Sequence, residues 1–293
     1  MKQKILLTGA AGFTGLFFKS AAEAAGHQVL ALQADLTDKA AVAAEVLQAA
    51  PDAVVHLAAI SFVGHADDTA FYGVNVVGTM NLLAGLAALP VKPSKVLLAS
   101  SANVYGNCDA SPITEGQPAA PVNHYAMSKL AMEHMARTYL DRLPVVFSRP
   151  FNYTGPGQAP NFLIPKLVSH FARRAPAIEL GNLHVEREFN DVRMVCDAYL
   201  ALLAHGVPGE VYNVCSGQPY TLQHVIGLLS EITGHTMDVQ VNPAFVRANE
   251  VHRLCGSPHK LRACVGDLPA YDLVDTLQWM LDAAAPNIGI VGA

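Results

Sequence analysis

Five unbroken apolar runs limit what this chain can fold into. KILLTG (4–9), QVLAL (28–32), AVVHLAA (53–59), KVLLASS (95–101) and PVVFSRP (144–150) lack the alternation of a half-exposed strand. Such runs suit strands buried on both faces. Between them lie helix-like segments around 13–25, 38–50, 68–88 and 125–141, rich in Ala, Leu and Met. Strand and helix in strict alternation require crossover connections, which are right-handed and place the strands parallel. The first half therefore reads as a doubly wound α/β sheet, with no internal repeat.

Near residue 150 the texture changes. RPFNYTGPGQAPNF (149–162) carries three prolines and two glycines, the composition of a crossing loop. Helices are expected near 162–174, 192–206, 221–232 and 271–284, with short strands such as EVYNVCS (210–216). This is the pattern of a smaller α/β lobe packed on the first. The closing APNIGIVGA (285–293) reads as a frayed tail.

Bulk properties narrow the function class. With 52% hydrophobic and 15% charged residues, the 293-residue chain can bury a large core and is not a disordered one. Its net charge of −5, with no run of like charges, argues against nucleic-acid binding. The opening MKQKILLTGA breaks at Thr8-Gly9, too early for a secretory leader, and no 18-residue apolar stretch suggests a membrane span. Cys108, Cys196, Cys215, Cys255 and Cys264 are odd in number and never in a CxxC pair. Free thiols in a reducing cytoplasm are expected, with Cys215 and Cys255 as buried small residues. None of the twelve histidines has HExxH spacing, so no metal site is expected.

LLTGAAGFTG (6–15) follows the first strand and opens a helix, with glycines at 9, 12 and 15. Gly9 permits a tight turn, Gly12 lets backbone approach a pyrophosphate, and Gly15 permits close packing of the helix. The helix N-terminus offers N–H groups and a positive dipole to the phosphates. VLALQADLTD (29–38) puts Leu32 and Gln33, not an acid, at the end of the second strand. Asp35 and Leu36 are placed near the adenine, although Asp35, Thr37 or Asp38 can equally cap the helix that follows. With neither a ribose acid nor an arginine for a 2′-phosphate, NAD and NADP both stay open.

HYAMSK (124–129) sets Tyr125 and Lys129 four apart, on one helical face. An ammonium beside a phenol favours the phenolate and makes a usable acid/base. Ser101, at the end of the fourth strand, adds a hydroxyl able to hydrogen-bond a carbonyl oxygen. His124 closes the entrance to this helix, and His184 lies in a loop.

Taken in this order, the motifs resemble those of the extended short-chain dehydrogenase/reductase (epimerase/dehydratase) family. The resemblance covers nearly the whole chain, through HLAA (56–59), NVVGTMNLL (75–83), SSANVYG (100–106), HYAMSKLAME (124–133) and RPFNYTGPGQ (149–158). It implies Ser101, Tyr125 and Lys129 as the catalytic set. It implies Phe13 and Thr14 beside the glycines, and Leu57, Ala58, Ala59 and Ser100, as lining of the cofactor cleft. Asn75 is expected to tie backbone together.

Members that dehydrate a nucleotide sugar keep a glutamate two residues past the strand-end hydroxyl, and often an aspartate one residue past it. Here those positions hold Asn103 and Ala102, neither of which moves a proton at neutral pH. The GPGQ wording resembles the GDP-4-keto-6-deoxy-mannose reductase subgroup, as do EREFNDV (186–192) and GEVYNVCSGQ (209–218). In VRANEVHRLCGS (246–257), Arg247 and Glu250 resemble the segment that grips the pyrophosphate and ribose of GDP-sugars, although Ala248 replaces the usual proline. Arg187 is a further phosphate candidate, Asn152 a neighbour of the sugar–phosphate linkage, and Leu163 and Lys166 match guanine-side positions. Ala102 and Asn103 join Ser101 and Tyr125 around the sugar.

The expected fold is a Rossmann-type doubly wound parallel sheet with a smaller C-terminal α/β substrate lobe. Residues 1–150 plus about 185–215 form the dinucleotide-binding domain, and about 151–184 plus 216–293 the nucleotide-sugar lobe. The expected activity is hydride transfer from NADH or NADPH to the C4 ketone of a GDP-4-keto-6-deoxy-hexose. A 4-epimerase with tightly bound NAD is the alternative. A non-catalytic cofactor-sensing protein would be expected to lose Tyr125 or Lys129, and both remain. By resemblance, a cytoplasmic homodimer paired through helices 68–88 and 125–141 is expected.

Overall fold

A computed structural model describes residues 2–63, 66–183, 185–245 and 253–284. The apolar runs become strands β1 (Lys4–Thr8), β2 (Gln28–Ala31), β3 (Ala53–His56), β4 (Lys95–Ala99) and β5 (Val145–Pro150). Helices α1 (Phe13–Ala24), α2 (Lys39–Ala49), α3 (Asp68–Tyr72), α4 (Thr79–Ala88) and α5 (His124–Arg137) connect them. Past β5 come β6 (Tyr153–Thr154), α6 (Leu163–Ala172), β7 (Ala177–Leu180), β8 (Glu186–Arg187), β9 (Asn190–Asp191), α7 (Val192–His205) and β10 (Val211–Val214). The chain then forms β11 (Tyr220–Thr221), α8 (Leu222–Thr233), β12 (Asp238–Val241), β13 (Arg253–Leu254), α9 (His259–Val265) and α10 (Leu273–Ala284).

The large sheet runs β10-β5-β4-β3-β1-β2, every pair parallel, which is the Rossmann-type doubly wound arrangement. Because helices cover both faces, β3 is buried along its whole length, and so the run AVVH has no polar alternation. Ile5, Leu7, Val55, Leu97 and Val146 face α1 and α7 on one side. Leu6, Val54, Val96, Leu98 and Phe147 face α2, α4 and α5 on the other. In the smaller lobe α6, α8 and α10 bury Ile164, Leu167, Phe171, Val225, Leu229 and Leu277 around the β12–β7 pair. A three-stranded sheet, β11-β8-β13, lies in the same half of the chain.

One open alternative is settled here and one expectation changes. Asp38, not Asp35, caps α2, accepting from Ala40 N–H and Ala41 N–H at 3.0 Å, while Asp35 turns back to Thr37. The segment expected as one regular helix over 68–88 widens into a π-helical turn at Gly73–Gly78 between α3 and α4. Asn75 sits in that turn with its side chain spent on Ile60 and Ser128. Asp68–Ala88, at a mean hydropathy of 1.3, is long and apolar enough to cross a membrane by length and composition only. It packs as a core helix: Leu82, Leu83 and Leu86 are buried against the sheet side, and Asn81 donates to Leu36 O.

Candidate active site

The ends of β1, β3 and β4 bring the motif residues together at one edge of the large sheet, where an open α/β sheet binds ligands. After β1 the chain turns at Gly9, whose φ of +70° favours glycine. A Cβ on Gly9 would lie 2.7 Å from Ala58 N, so the turn rests on the backbone at Leu57–Ala58. A Cβ on Gly15 would lie 2.0 Å from Gly9 O, which leaves no side chain able to fit there. Gly12 precedes α1 and supplies no side-chain cap, so first-turn N–H groups of the helix are left for an anion. Thr14 Oγ1 meets the Tyr153 hydroxyl at 2.8 Å, and Phe13 stacks on the same ring. Ala59 follows Ala58, half-buried. Leu36 is buried against α4, while Asp35 stays exposed.

Ser100 N–H bonds Ser148 O at 2.7 Å, yet the buried Ser100 Oγ has no hydrogen-bond partner among the described residues. An orphaned buried hydroxyl costs about 1–3 kcal/mol. With the uncapped helix and the glycine cradle, it fits a polar dinucleotide lying along this edge. The residues present therefore suit a nicotinamide cofactor.

Ser101 is the N-cap of a short turn at Ala102–Tyr105, accepting from Asn103 N–H at 3.2 Å. Its proton is thereby left to donate, and the influence of this hydroxyl on the Tyr125 phenol is to lower the phenol's pKa. Burial is the larger influence and holds Tyr125 above the usual tyrosine value. The net direction is therefore the reverse of what an ammonium beside the phenol leads one to expect. The Lys129 ammonium instead donates to Ala99 O at 2.8 Å, and burial pushes its own pKa down to about 8. Ala102 is buried and Asn103 half-buried, so no carboxyl group occupies either position. Asn123, not His124, caps α5, accepting from Ala126 N–H. His124 is exposed and faces Tyr72 and Asp68.

Several residues that sequence reasoning passed over hold this arrangement. Thr8 Oγ1 accepts from Leu57 N–H and Ala58 N–H at 3.2 and 3.1 Å, so its own proton goes to His56 Nδ1 at 2.7 Å. His56 Nε2–H then donates to Thr79 Oγ1 at 2.8 Å, which donates to Asn75 O. Burial, then the Lys129 charge, lower the His56 pKa to about 3, so the ring is neutral. Asn75 continues the path to Ser128 Oγ, which donates to Tyr125 O at 2.8 Å. Beyond Lys129 on α5, Glu133 takes both prongs of the Arg149 guanidinium at 2.9 and 2.7 Å. At the other end, Glu45 reaches from α2 to accept from Gln33 N–H and Ala34 N–H at 2.8 and 2.7 Å. That acid lies beyond the strand-end position that the glycine motif leads one to search.

The nucleotide-side candidates are less gathered. Asn152, half-buried, gives its carbonyl to Asn190 N–H, and Leu163 opens α6. Lys166 Nζ donates to Glu179 O at 2.7 Å and lies over the Phe245 ring, so its ammonium already has partners. Arg187, on β8, donates to Glu186 O at 2.9 Å. Arg247, Glu250 and His184 lie outside the described residues. Among the described residues no cluster of His, Cys, Asp and Glu is suited to hold a metal.

Fold and site define an extended short-chain dehydrogenase/reductase. The family described as GDP-mannose 4,6 dehydratase matches residues 16–280, and the chain belongs to it. The chain is 38% identical over 270 residues to GDP-6-deoxy-D-talose 4-dehydrogenase of Aggregatibacter actinomycetemcomitans, covering 90% of this chain and 92% of the relative. It is 36% identical over 297 residues to GDP-6-deoxy-D-mannose reductase of Pseudomonas aeruginosa, covering 96% and 97%. The structure of RMD from Pseudomonas aeruginosa complexed with NADPH superposes with a TM-score of 0.90 at 34% identity, covering 97% and 99%.

Proposed function

We propose that this chain reduces the C4 ketone of a GDP-linked 4-keto-6-deoxy-hexose, using NADPH or NADH. The observation that carries the reading is the Ser101–Tyr125–Lys129 group at the end of β4 beside Ala102 and Asn103. It holds a proton donor for an alkoxide but no carboxyl group at the positions that dehydration needs. The two named relatives, a 4-dehydrogenase and a reductase of GDP-6-deoxy sugars, support the same chemistry.

A nicotinamide dinucleotide supplies the hydride when bound. As C4 accepts it, the carbonyl π pair moves to O4 and Tyr125 releases its phenolic proton there, forming the alcohol. Burial keeps Tyr125 protonated until then, and the Ser101 hydroxyl, already aimed at the phenol, steadies the oxyanion. The Lys129 ammonium holds α5 against Ala99 and offers positive charge to the phenolate that remains, which solvent re-protonates.

Arg187 serves the substrate diphosphate in this reading, with Asn152, Leu163 and Lys166 on the loop and helix leading away from β5, and with Arg247 and Glu250. The chain divides accordingly, residues 1–150 with about 185–215 serving the cofactor and the remainder the nucleotide sugar. Val77, Met80 and Met127 are exposed on the paired helices α4 and α5 and the turn before them, which supports a homodimer through that face. Five free cysteines favour a reducing, cytoplasmic setting. The test supplies GDP-4-keto-6-deoxy-mannose with NADPH and NADH. Stoichiometric cofactor oxidation is expected, whereas turnover with no added cofactor identifies a 4-epimerase.

A further inference from the structure

One buried acid takes no part in that chemistry. Glu188 is 0% exposed and lies just past β8, next to Arg187. Its Oε2 accepts from Ser216 N–H at 2.8 Å, Ser216 Oγ–H at 3.0 Å and Gly217 N–H at 3.3 Å. Its Oε1 accepts from Gly256 N–H at 2.6 Å. These donors come from the loop after β10 and the chain just after β13, so one carboxylate ties two separate segments to its own. Glu188 N–H also bonds Leu254 O at 3.4 Å, which extends the β8–β13 pairing past its last strand residue.

Burying a carboxylate is costly and is tolerated only where donors replace water. An apolar side chain here would leave the Ser216, Gly217 and Gly256 N–H groups unpaired, so the acid is what holds these segments to β8. In extended chain, adjacent side chains point to opposite sides. Clamping Glu188 on the inner side therefore fixes the backbone from which half-buried Arg187 projects. The clamp is also tied to the reacting end. Ile113 bonds Cys255 O and Ser257 N–H on the far side of Gly256, and Asn213 joins Ile113 O to the Tyr105 hydroxyl. Tyr105 closes the turn that begins at Ser101.

From this geometry we infer that Glu188 is a positioning residue for the nucleotide half of the substrate site, holding Arg187 and β13 in register with the Ser101 turn. It rests on the reading of Arg187 as a diphosphate ligand. Among the described residues, the carboxylate's hydrogen-bond partners Ser216, Gly217 and Gly256 all lie off the cofactor edge at β1, β3 and β4.

The test is binding of GDP, UDP, dTDP and NADPH to the full chain, measured separately by calorimetry, for wild type, Glu188→Gln and Ser216→Ala. Glutamine keeps the shape but turns an N–H₂ group towards N–H donors. It is expected to weaken GDP binding at least about tenfold and leave NADPH within about twofold. Ser216→Ala removes one donor and keeps the backbone ones, so a loss of about two- to fivefold for GDP alone is expected. If Glu188→Gln does not fold, Ser216→Ala decides by the same comparison. Unchanged nucleotide affinity, or parallel loss of nucleotide and NADPH, overturns the inference. A wild-type chain that prefers UDP or dTDP contradicts the GDP reading instead, and the Glu188 comparison is then read with that nucleotide. Binding of none of the three overturns both.

Discussion

Lys129 donates from its ammonium to the Ala99 carbonyl at 2.8 Å, which ties the helix carrying Tyr125 to the last residue of β4. Ser101 follows two residues later, so this bond ties the helix that carries the phenol to the strand end that carries the hydroxyl. Both Tyr125 and Lys129 are buried, at 8% and 4% exposure, where such contacts are stronger than in water. The site is thereby assembled before substrate arrives.

Replacing Tyr125 by Phe removes only the phenolic oxygen. Cofactor oxidation is expected to fall by about 10²–10⁴, the worth of a positioned acid. NADPH affinity, measured by fluorescence titration, is expected to stay within about threefold. Unchanged turnover would remove the proton donor from the scheme.

Ser101 has two duties, capping the turn at Ala102–Tyr105 and hydrogen-bonding Tyr125. Ser101→Ala is expected to lower kcat by about 10²–10³. Ser101→Thr keeps the hydroxyl and should recover most of the rate. Equal rates for the two variants would mean that the hydroxyl contributes nothing to turnover.

A methyl group at Gly15 would fall 2.0 Å from Gly9 O, so Gly15→Ala must displace the glycine turn. NADPH and NADH binding are expected to weaken by about tenfold or more, with the far lobe and its nucleotide affinity spared. Retained cofactor affinity would show that the turn does not carry the pyrophosphate.

His56 supplies a pH signature. Its pKa is lowered from 6.5 to about 3 in the fold, so between those values the unfolded chain binds the additional proton. Stability is therefore lost as pH falls through that window and is fully present above 6.5. His56→Gln can donate to Thr79 without titrating. Its Tm, followed by calorimetry, is expected to fall less between pH 6.5 and 4 than that of wild type; parallel profiles would contradict the assignment.

The sheet was legible because AVVH, KVLLA and VVFS cannot be half-exposed strands, and GAAGFTG can open only a few kinds of helix. Ser101, Tyr125 and Lys129 were legible for the same local reason, a strand end and one helical face. What the sequence hid depends on tertiary contact. Nothing near His56 announces that Thr8 and Thr79 will flank it, 48 and 23 residues away. Glu45 and Glu188 are ordinary acids until the fold aims backbone N–H groups at them. The direction of the Tyr125 shift was misread because burial, which sequence spacing does not measure, outweighs the hydrogen bond from Ser101. The π-helical turn at Gly73–Gly78, from which Asn75 reaches Ile60 and Ser128, is likewise a feature that helical periodicity does not announce.

The decisive comparison offers the purified chain two substrates in separate vessels, GDP-mannose and GDP-4-keto-6-deoxy-mannose, each with NADPH and with NADH. Mass spectrometry and absorbance at the nicotinamide band follow the products. A site with a phenol donor and Ala102 and Asn103 beside it should gain two hydrogens on the ketone, with one cofactor oxidised per sugar. GDP-mannose should be left intact. Loss of water from GDP-mannose would contradict the proposed chemistry outright.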